Sequence, residues 1–145
     1  MKILPFKESD AKAVAELSNV NSTAFQYQRV TPSFLKRMCL RSDYRMFVAK
    51  EPGQLLGFCG AKYKKGDTAE LGPICVRTEL RAHGIGRVLV NRIFEELEPT
   101  ECSRVIVKVK SSNSEGLKFF RSMGFNKMAD CTCGGAPAVV MEYLH

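Results

Sequence analysis

Residues 74–87 read Ile74-Cys75-Val76-Arg77-Thr78-Glu79-Leu80-Arg81-Ala82-His83-Gly84-Ile85-Gly86-Arg87, an apolar run, a glycine loop and the first turn of a helical pattern. Two glycines at a strand-to-helix junction let the backbone turn tightly with no Cβ in the way. The amides of a helix's first turn have no partner inside the helix, and that end carries a positive partial charge. Such a loop suits a phosphate, and Arg81 and Arg87 flank it with two more cations. Spacing excludes two other phosphate loops. A dinucleotide fingerprint needs a third glycine where Leu89 stands, and the Gly-x4-Gly-Lys-Ser/Thr loop of nucleotide triphosphatases is absent. The plain alternative is a helix that merely begins with glycines at a turn, so the rest of the chain must arbitrate.

A chain of 145 residues, 45% apolar and 26% charged, has the balance of one globular domain and is long enough to build a core without disulfides. Residues 1–145 are therefore expected to form a single domain. No apolar stretch has the length of a membrane span, and the apolar part of residues 1–7 is too short for a secretory signal; the chain is read as cytoplasmic. Of six cysteines, Cys39, Cys59, Cys75 and Cys102 lie in apolar periodic stretches and behave as small hydrophobes. Cys131 and Cys133 form one Cys-x-Cys without a second pair or a histidine at zinc-site spacing, so alternation along a strand is the preferred reading and no metal is expected. The net charge of +7 favours anionic partners. The basic residues are scattered, with only Lys62, Lys64 and Lys65 close together, which suits a phosphorylated cofactor as well as it suits a nucleic acid.

Working outward, residues 2–6 read as a short strand, and Ser9 or Asp10 caps a helix with Ala13, Val14 and Leu17 on one face. Residues 19–31 are polar with Phe25 and Tyr27 inserted, a loop or broken helix. Thr31-Pro32 starts a second helix through Phe34, Leu35 and Met38. Strands follow at 45–50, 55–63 and 69–77, separated by Pro52-Gly53 and Gly66-Asp67 turns. The helix after the glycine loop runs from about 84 to 97, burying Ile85, Val88, Leu89, Ile93 and Leu97. Val105-Ile106-Val107 predicts a buried parallel strand. Ser112 or Asn113 opens a helix with Leu117 and Phe120 toward the core, Gly124-Phe125 leads into a strand, and Gly134-Gly135 turns into a last strand over 137–143. The order β-α-α-β-β-β-α-β-α-β-β predicts an α/β fold with a mixed sheet.

Arg81, Gly84 and Gly86 after an apolar strand match one signature of the GNAT N-acetyltransferase superfamily. Asn113, Gly116, Phe119-Phe120 and Gly124-Phe125 match a second, about thirty residues on. The chain resembles that family in detail over residues 69–125 and coarsely elsewhere. The resemblance implies the GNAT fold and acetyl-CoA as cosubstrate. Amides of Ala82, His83, Gly84, Ile85, Gly86 and Arg87 would cradle the pyrophosphate with Arg81, and the edge of Ile74, Cys75 and Val76 would pair with the pantetheine arm. It further implies fourth and fifth strands that splay after a bulge, for which Gly72-Pro73 is suited. Ile74 N–H is then a donor to the thioester carbonyl, and Asn113, otherwise a helix N-cap, contacts the cofactor arm, with Phe120 beside it.

An alkyl amine with a pKa near 10 is protonated at neutral pH, so transfer to it needs a base. Glu70, on the strand leading to the loop, is the candidate, against the plainer reading of a solvated strand-end carboxylate; Glu79 reads as a surface residue. The family's usual acid for the leaving thiolate is a tyrosine at the position of Phe120, which has no hydroxyl. Ser111, Ser112 or Ser114 could orient a water instead, or the thiolate leaves unassisted. Cys102 has no histidine beside it: His83 belongs to the phosphate loop and His145 is terminal. The expected activity is acetyl transfer from acetyl-CoA to a primary amine, of a small molecule or a peptide, by direct attack in a ternary complex. The alternative is a non-catalytic acyl-CoA-binding or sensor module; a nucleic-acid-binding domain ranks last. The expected partners are acetyl-CoA and an amine, with neither nucleic acid nor membrane, and a homodimer is left open. The segments implied to shape the acceptor site are 20–30, with Phe25, Gln26, Tyr27 and Gln28, and the small glycine-rich 131–137.

Overall fold

A computed structural model describes residues 1–20, 30–64, 66–81 and 83–144. The elements, in order, are β1 (Lys2–Pro5), α1 (Ala11–Val20), α2 (Pro32–Cys39), β2 (Tyr44–Glu51), β3 (Gln54–Tyr63), β4 (Thr68–Val76), α3 (Ile85–Leu97), β5 (Arg104–Lys110), α4 (Ser114–Ser122), β6 (Asn126–Cys133) and β7 (Ala136–Leu144), with single 3₁₀ turns at Glu8–Asp10 and Thr78–Leu80. This is the order expected from the sequence. The sheet runs β1-β2-β3-β4-β5-β7-β6. Every pair is antiparallel except β4 with β5, which the crossover helix α3 joins in parallel. The parallel strand expected at 105–107 is therefore parallel on one edge only; on its other edge β5 pairs antiparallel with β7 along its whole length. A run of β-branched residues reports burial on both faces and is silent about the direction of the neighbours.

Local chemistry explains the boundaries. Thr31 Oγ1 accepts from Phe34 N at 3.1 Å and Asn113 Oδ1 from Gly116 N at 3.0 Å, so both predicted caps start their helices. At the first helix, Asp10 instead reaches back to accept from Lys7 N at 2.8 Å, closing a 3₁₀ turn that precedes α1. Gly134 and Gly135 both take positive φ in the β6–β7 hairpin, the geometry a two-residue turn requires.

The helices cover both faces of the sheet. α1 and α2 pack on β2 and β3 through Val14, Leu17, Leu35, Met46, Val48 and Phe58. On the opposite face α3 and α4 pack through Leu89, Ile93, Phe120 and Phe125 against Phe47, Leu71, Val105, Val107 and Met141. Three core expectations change: Ala13, expected on the buried face of α1 with Val14 and Leu17, is exposed, and Ala11 and Ala15 are buried there instead. Val88 is 41% exposed and Val90 is buried in its place, because positions 85, 89, 93 and 97 advance about 40° per step around a 3.6-residue helix and carry the stripe toward 90. Phe34 is also exposed, leaving Leu35 as the buried anchor of α2. The reading of residues 21–29, with Phe25, Gln26, Tyr27 and Gln28, lies outside the described residues. No helix among the described residues is long and apolar enough to cross a membrane.

Candidate functional site

The site begins with a failure of strand pairing. β4 and β5 are in register only at Thr68↔Arg104, Ala69↔Val105 and Glu70↔Ile106. Past Glu70 the ladder between β3 and β4 shifts between Cys59 and Ala61, opposite Gly72-Pro73. Proline has no N–H to offer a neighbour, so the strands part here. The Tyr44 hydroxyl donates to Gly72 O at 3.3 Å and so holds the bend. It reaches across β3 because Gly60 has no side chain: a Cβ there would lie 2.1 Å from the Tyr44 oxygen. Burial pushes the Tyr44 phenol well above its ordinary pKa, so it stays a proton donor to that carbonyl.

Beyond the bend, Arg77 N donates to Leu56 O at 3.0 Å. Backbone groups alternate sides along a strand, so Cys75 faces β3 while Ile74 and Val76 turn N–H and C=O toward the gap. The gap opens into a cleft of about 470 Å³. Its walls are Ile74, Cys75 and Val76 of β4, Arg81, Gly84, Ile85, Gly86 and Arg87 around the start of α3, and Asn113, Glu115, Gly116, Lys118, Phe119 and Ser122 at α4. Gly84 caps α3 in the left-handed region at φ 83°, which glycine adopts freely, and it has no side chain with which to satisfy the first-turn amides. The first main-chain bond into α3 runs from Val88 N to Gly84 O at 3.1 Å, leaving the N–H groups of Ile85, Gly86 and Arg87 without an intrahelical acceptor. Arg87 donates to Ser122 Oγ at 3.1 Å, and Arg81 stands 3.4 Å from Glu115 Oε2. Three cations, Arg81, Arg87 and Lys118, thus ring an open helix N-terminus against one carboxylate.

Most of the residues singled out in the sequence meet on this cleft, but not all, and the candidate base Glu70 is one that is not on its wall. His83 is exposed and is not part of the cleft wall, and Ala82 lies outside the described residues. Phe120 requires a correction. It is fully buried between Phe119 and Phe125, edge-on to both at centroid distances of 5.0 and 5.2 Å. Phe119 lines the cleft instead. In an adjacent aromatic pair on a helix only one ring can point to the core, and the Gly124-Phe125 corner takes Phe120. Ser111, Ser112 and Ser114 are exposed and off the cleft wall; the hydroxyl that lines it is Ser122. Glu115, Lys118 and Ser122 were not singled out from the sequence. Their signal was the spacing from Asn113 around one face of a short helix.

Glu70 is the last residue in register before the strands part. Ala69 and Leu71 face α3, so its side chain lies on the other face of the sheet, 20% exposed. Lys64 Nζ lies 2.8 Å from Oε1, but off line for a hydrogen bond, and Lys108 Nζ lies at 4.0 Å. The carboxylate therefore has charge partners, while its buried Oε1 accepts no hydrogen bond. The thiol on the cleft wall is no nucleophile: burial pushes Cys75 up to about 11, so it is protonated at neutral pH. All six cysteines are free thiols, and no cluster of metal-ligating side chains occurs among the described residues.

A family model described as "Acetyltransferase (GNAT) family" matches residues 12–125. The chain belongs to the GNAT acetyltransferase family. Among curated relatives, the [ribosomal protein bS18]-alanine N-acetyltransferase of Escherichia coli K12 is 31% identical over 61 residues. That aligned stretch spans 42% of this chain and 41% of the relative. Among solved structures, smu.2055 from Streptococcus mutans UA159 superposes with a TM-score of 0.85 at 24% identity, covering 99% of each chain. The PaiA N-acetyltransferase of Thermoplasma acidophilum, solved in complex with coenzyme A, superposes with a TM-score of 0.83 at 19% identity over the whole of both chains. These likenesses establish the GNAT fold.

Proposed function

We propose that the chain, with residues 1–145 acting as one catalytic domain in the cytoplasm, is an acetyl-CoA-dependent N-acetyltransferase that acylates a primary amine by direct attack. The observation that carries this reading is the uncapped N-terminus of α3 opening onto the gap between β4 and β5. Three first-turn amides with no acceptor inside the helix and three cations fit a diphosphate, and the edge of Ile74 and Val76 offers an extended ligand a strand to pair with. When bound, acetyl-CoA supplies a thioester carbonyl as electrophile and a thiolate as leaving group.

The protein's own residues do the rest. Amides of Gly84, Ile85, Gly86 and Arg87 grip the diphosphate, joined by Arg81 and Arg87. Asn113, which already caps α4, lies on the far wall for the pantetheine arm. Ile74 N–H is directed at the gap, where a fixed donor stabilises negative charge growing on a carbonyl oxygen. Glu70 accepts the ammonium proton, directly or through a water, before or during attack. Among the described residues, the one side-chain hydroxyl on the cleft wall is Ser122, which is engaged with Arg87 and Phe119 O. A thiol with a pKa near 8.5 is a tolerable unassisted leaving group, so the missing tyrosine does not argue for a mere sensor. Titration of the protein with coenzyme A, followed by thiol release from acetyl-CoA across a panel of amines, tests the reading. Saturable binding with acceptor-dependent release is expected; no binding removes the proposal, and binding without release makes the chain a sensor module.

A further inference from the structure

The sheet face that carries Glu70 is strongly and asymmetrically charged. Lys62 of β3 is the direct cross-strand partner of Glu70, and both are half-buried. Lys64 and Lys108 flank the same carboxylate at 2.8 and 4.0 Å. On β5, Val105, Val107 and Val109 face α3, so alternation puts Lys108 and Lys110 on the side of Glu70. Arg104 shares that side but is neutralised by Glu142 at 2.8 Å. Among the described residues, Lys62, Lys64 and Lys108 thus stand against one carboxylate at the closed end of the gap, and Lys110 lies further along the same face of β5. Their stems lie along the sheet and their heads reach solvent, with Lys64 43% and Lys108 35% exposed.

Resting on the acetyltransferase reading, we infer that the acceptor carries one or more carboxylates close to its amine, and that Lys62, Lys64, Lys108 and Lys110 select it. The cofactor cleft lies on the α3 and α4 side of the gap, so an amine that meets Glu70 comes from the lysine side. A polycationic acceptor would have to bring its charge to a face where, among the described residues, the cations outnumber the carboxylates. An acidic acceptor pairs with the lysines, and Lys64 is drawn off Glu70 as it does so, leaving the carboxylate free for the ammonium proton. Charge complementarity of this kind steers encounter and rejects wrong partners more than it adds affinity.

The test compares peptides that share an N-terminal alanine followed by two glutamates, two glutamines or two lysines, together with free glutamate as a small acidic amine. Thiol release is followed at saturating acetyl-CoA and low ionic strength. The expected order of kcat/KM is acidic, neutral, basic, with acidic over neutral by about 10-fold, collapsing as salt is raised. Activity on free glutamate but not on the peptide would identify a small dicarboxylate as the source of the carboxylate, and the reverse a peptide. K62Q/K108Q removes most of the preference, and K62E/K108E inverts it while the coenzyme A Kd stays that of the parent protein. If the charge-reversed pair does not fold, the glutamine pair and the salt titration decide. Should coenzyme A bind but no amine be acetylated, the catalytic reading fails, and anisotropy of labelled peptides on the coenzyme-loaded protein still scores the inference. Equal handling of the three peptides, or a preference indifferent to the lysine substitutions, overturns it. So does an RNA oligomer that binds through these lysines when no peptide does.

Discussion

Replacing Glu70 by glutamine separates its role as a base from its role as a charge. The side chain keeps its shape while losing the ability to take a proton. Its ionic contacts, to Lys64 at 2.8 Å and Lys108 at 4.0 Å, involve lysines 43% and 35% exposed, so solvent already screens most of their worth. Stability should fall by less than about 1 kcal/mol, a Tm shift of no more than about 4 °C. The coenzyme A Kd should not move, because Glu70 lies outside the phosphate end of the cleft. The effect on turnover is different in kind. A positioned general base contributes about 10²–10⁴-fold, so kcat should drop by about 3–5 kcal/mol of barrier. Without the base, only amine that is already neutral reacts. The variant's rate should then climb about tenfold per pH unit below the amine's own pKa, more steeply than that of the parent. Thiol release measured from pH 6.5 to about 9.5 at saturating acceptor, with calorimetric coenzyme A binding as control, reads all three quantities. A kcat within about threefold of the parent and an unchanged pH slope would falsify the assignment and leave Glu70 as a structural carboxylate.

Other consequences follow from the cleft. G84A forces a side chain into φ 83°, a strain of about 1–2 kcal/mol that tilts the first-turn amides, and calorimetry should find coenzyme A bound at least about tenfold more weakly. An unaltered Kd would take the α3 N-terminus out of the site. F120Y, which restores the family's usual hydroxyl, should not raise kcat: the ring is fully buried, so the new group meets the core and costs about 1–3 kcal/mol in chemical denaturation. Faster turnover in F120Y would mean that the ring reaches the reacting sulfur after all. Iodoacetamide near neutral pH should spare Cys75, whose pKa of about 11 leaves almost no thiolate, and peptide mapping that finds rapid labelling there would refute its burial.

Much of the fold was legible because its signals are local. Thr31 and Asn113 are caps, Gly134-Gly135 is a hairpin turn, and the alternation of strand residues needs only nearest neighbours to be read. The glycine loop was legible for the same reason, since an uncapped helix start is a property of a few consecutive residues. Phe119 and Phe120 were not separable in this way: which ring enters the core depends on where Phe125 and the sheet lie, a fact of packing between elements distant in sequence. Val88 and Val90 differ for the same reason, as both are apolar and only the direction of the sheet chooses between them.

The amino-acid order alone determined the succession of strands and helices, the phosphate-shaped loop at 81–87 and the family signatures around it, because hydrogen-bonding caps, turns and periodicity are short-range. Only the folded sheet decided that β4 leaves β5 after Glu70, that Tyr44 reaches over Gly60 to hold the bend, and that Lys62 of β3, Lys108 of β5 and Lys64 of the turn between β3 and β4 come together at one carboxylate. Those relations join residues up to tens of positions apart through backbone pairing, and pairing register is set by the core as a whole rather than by any segment within it.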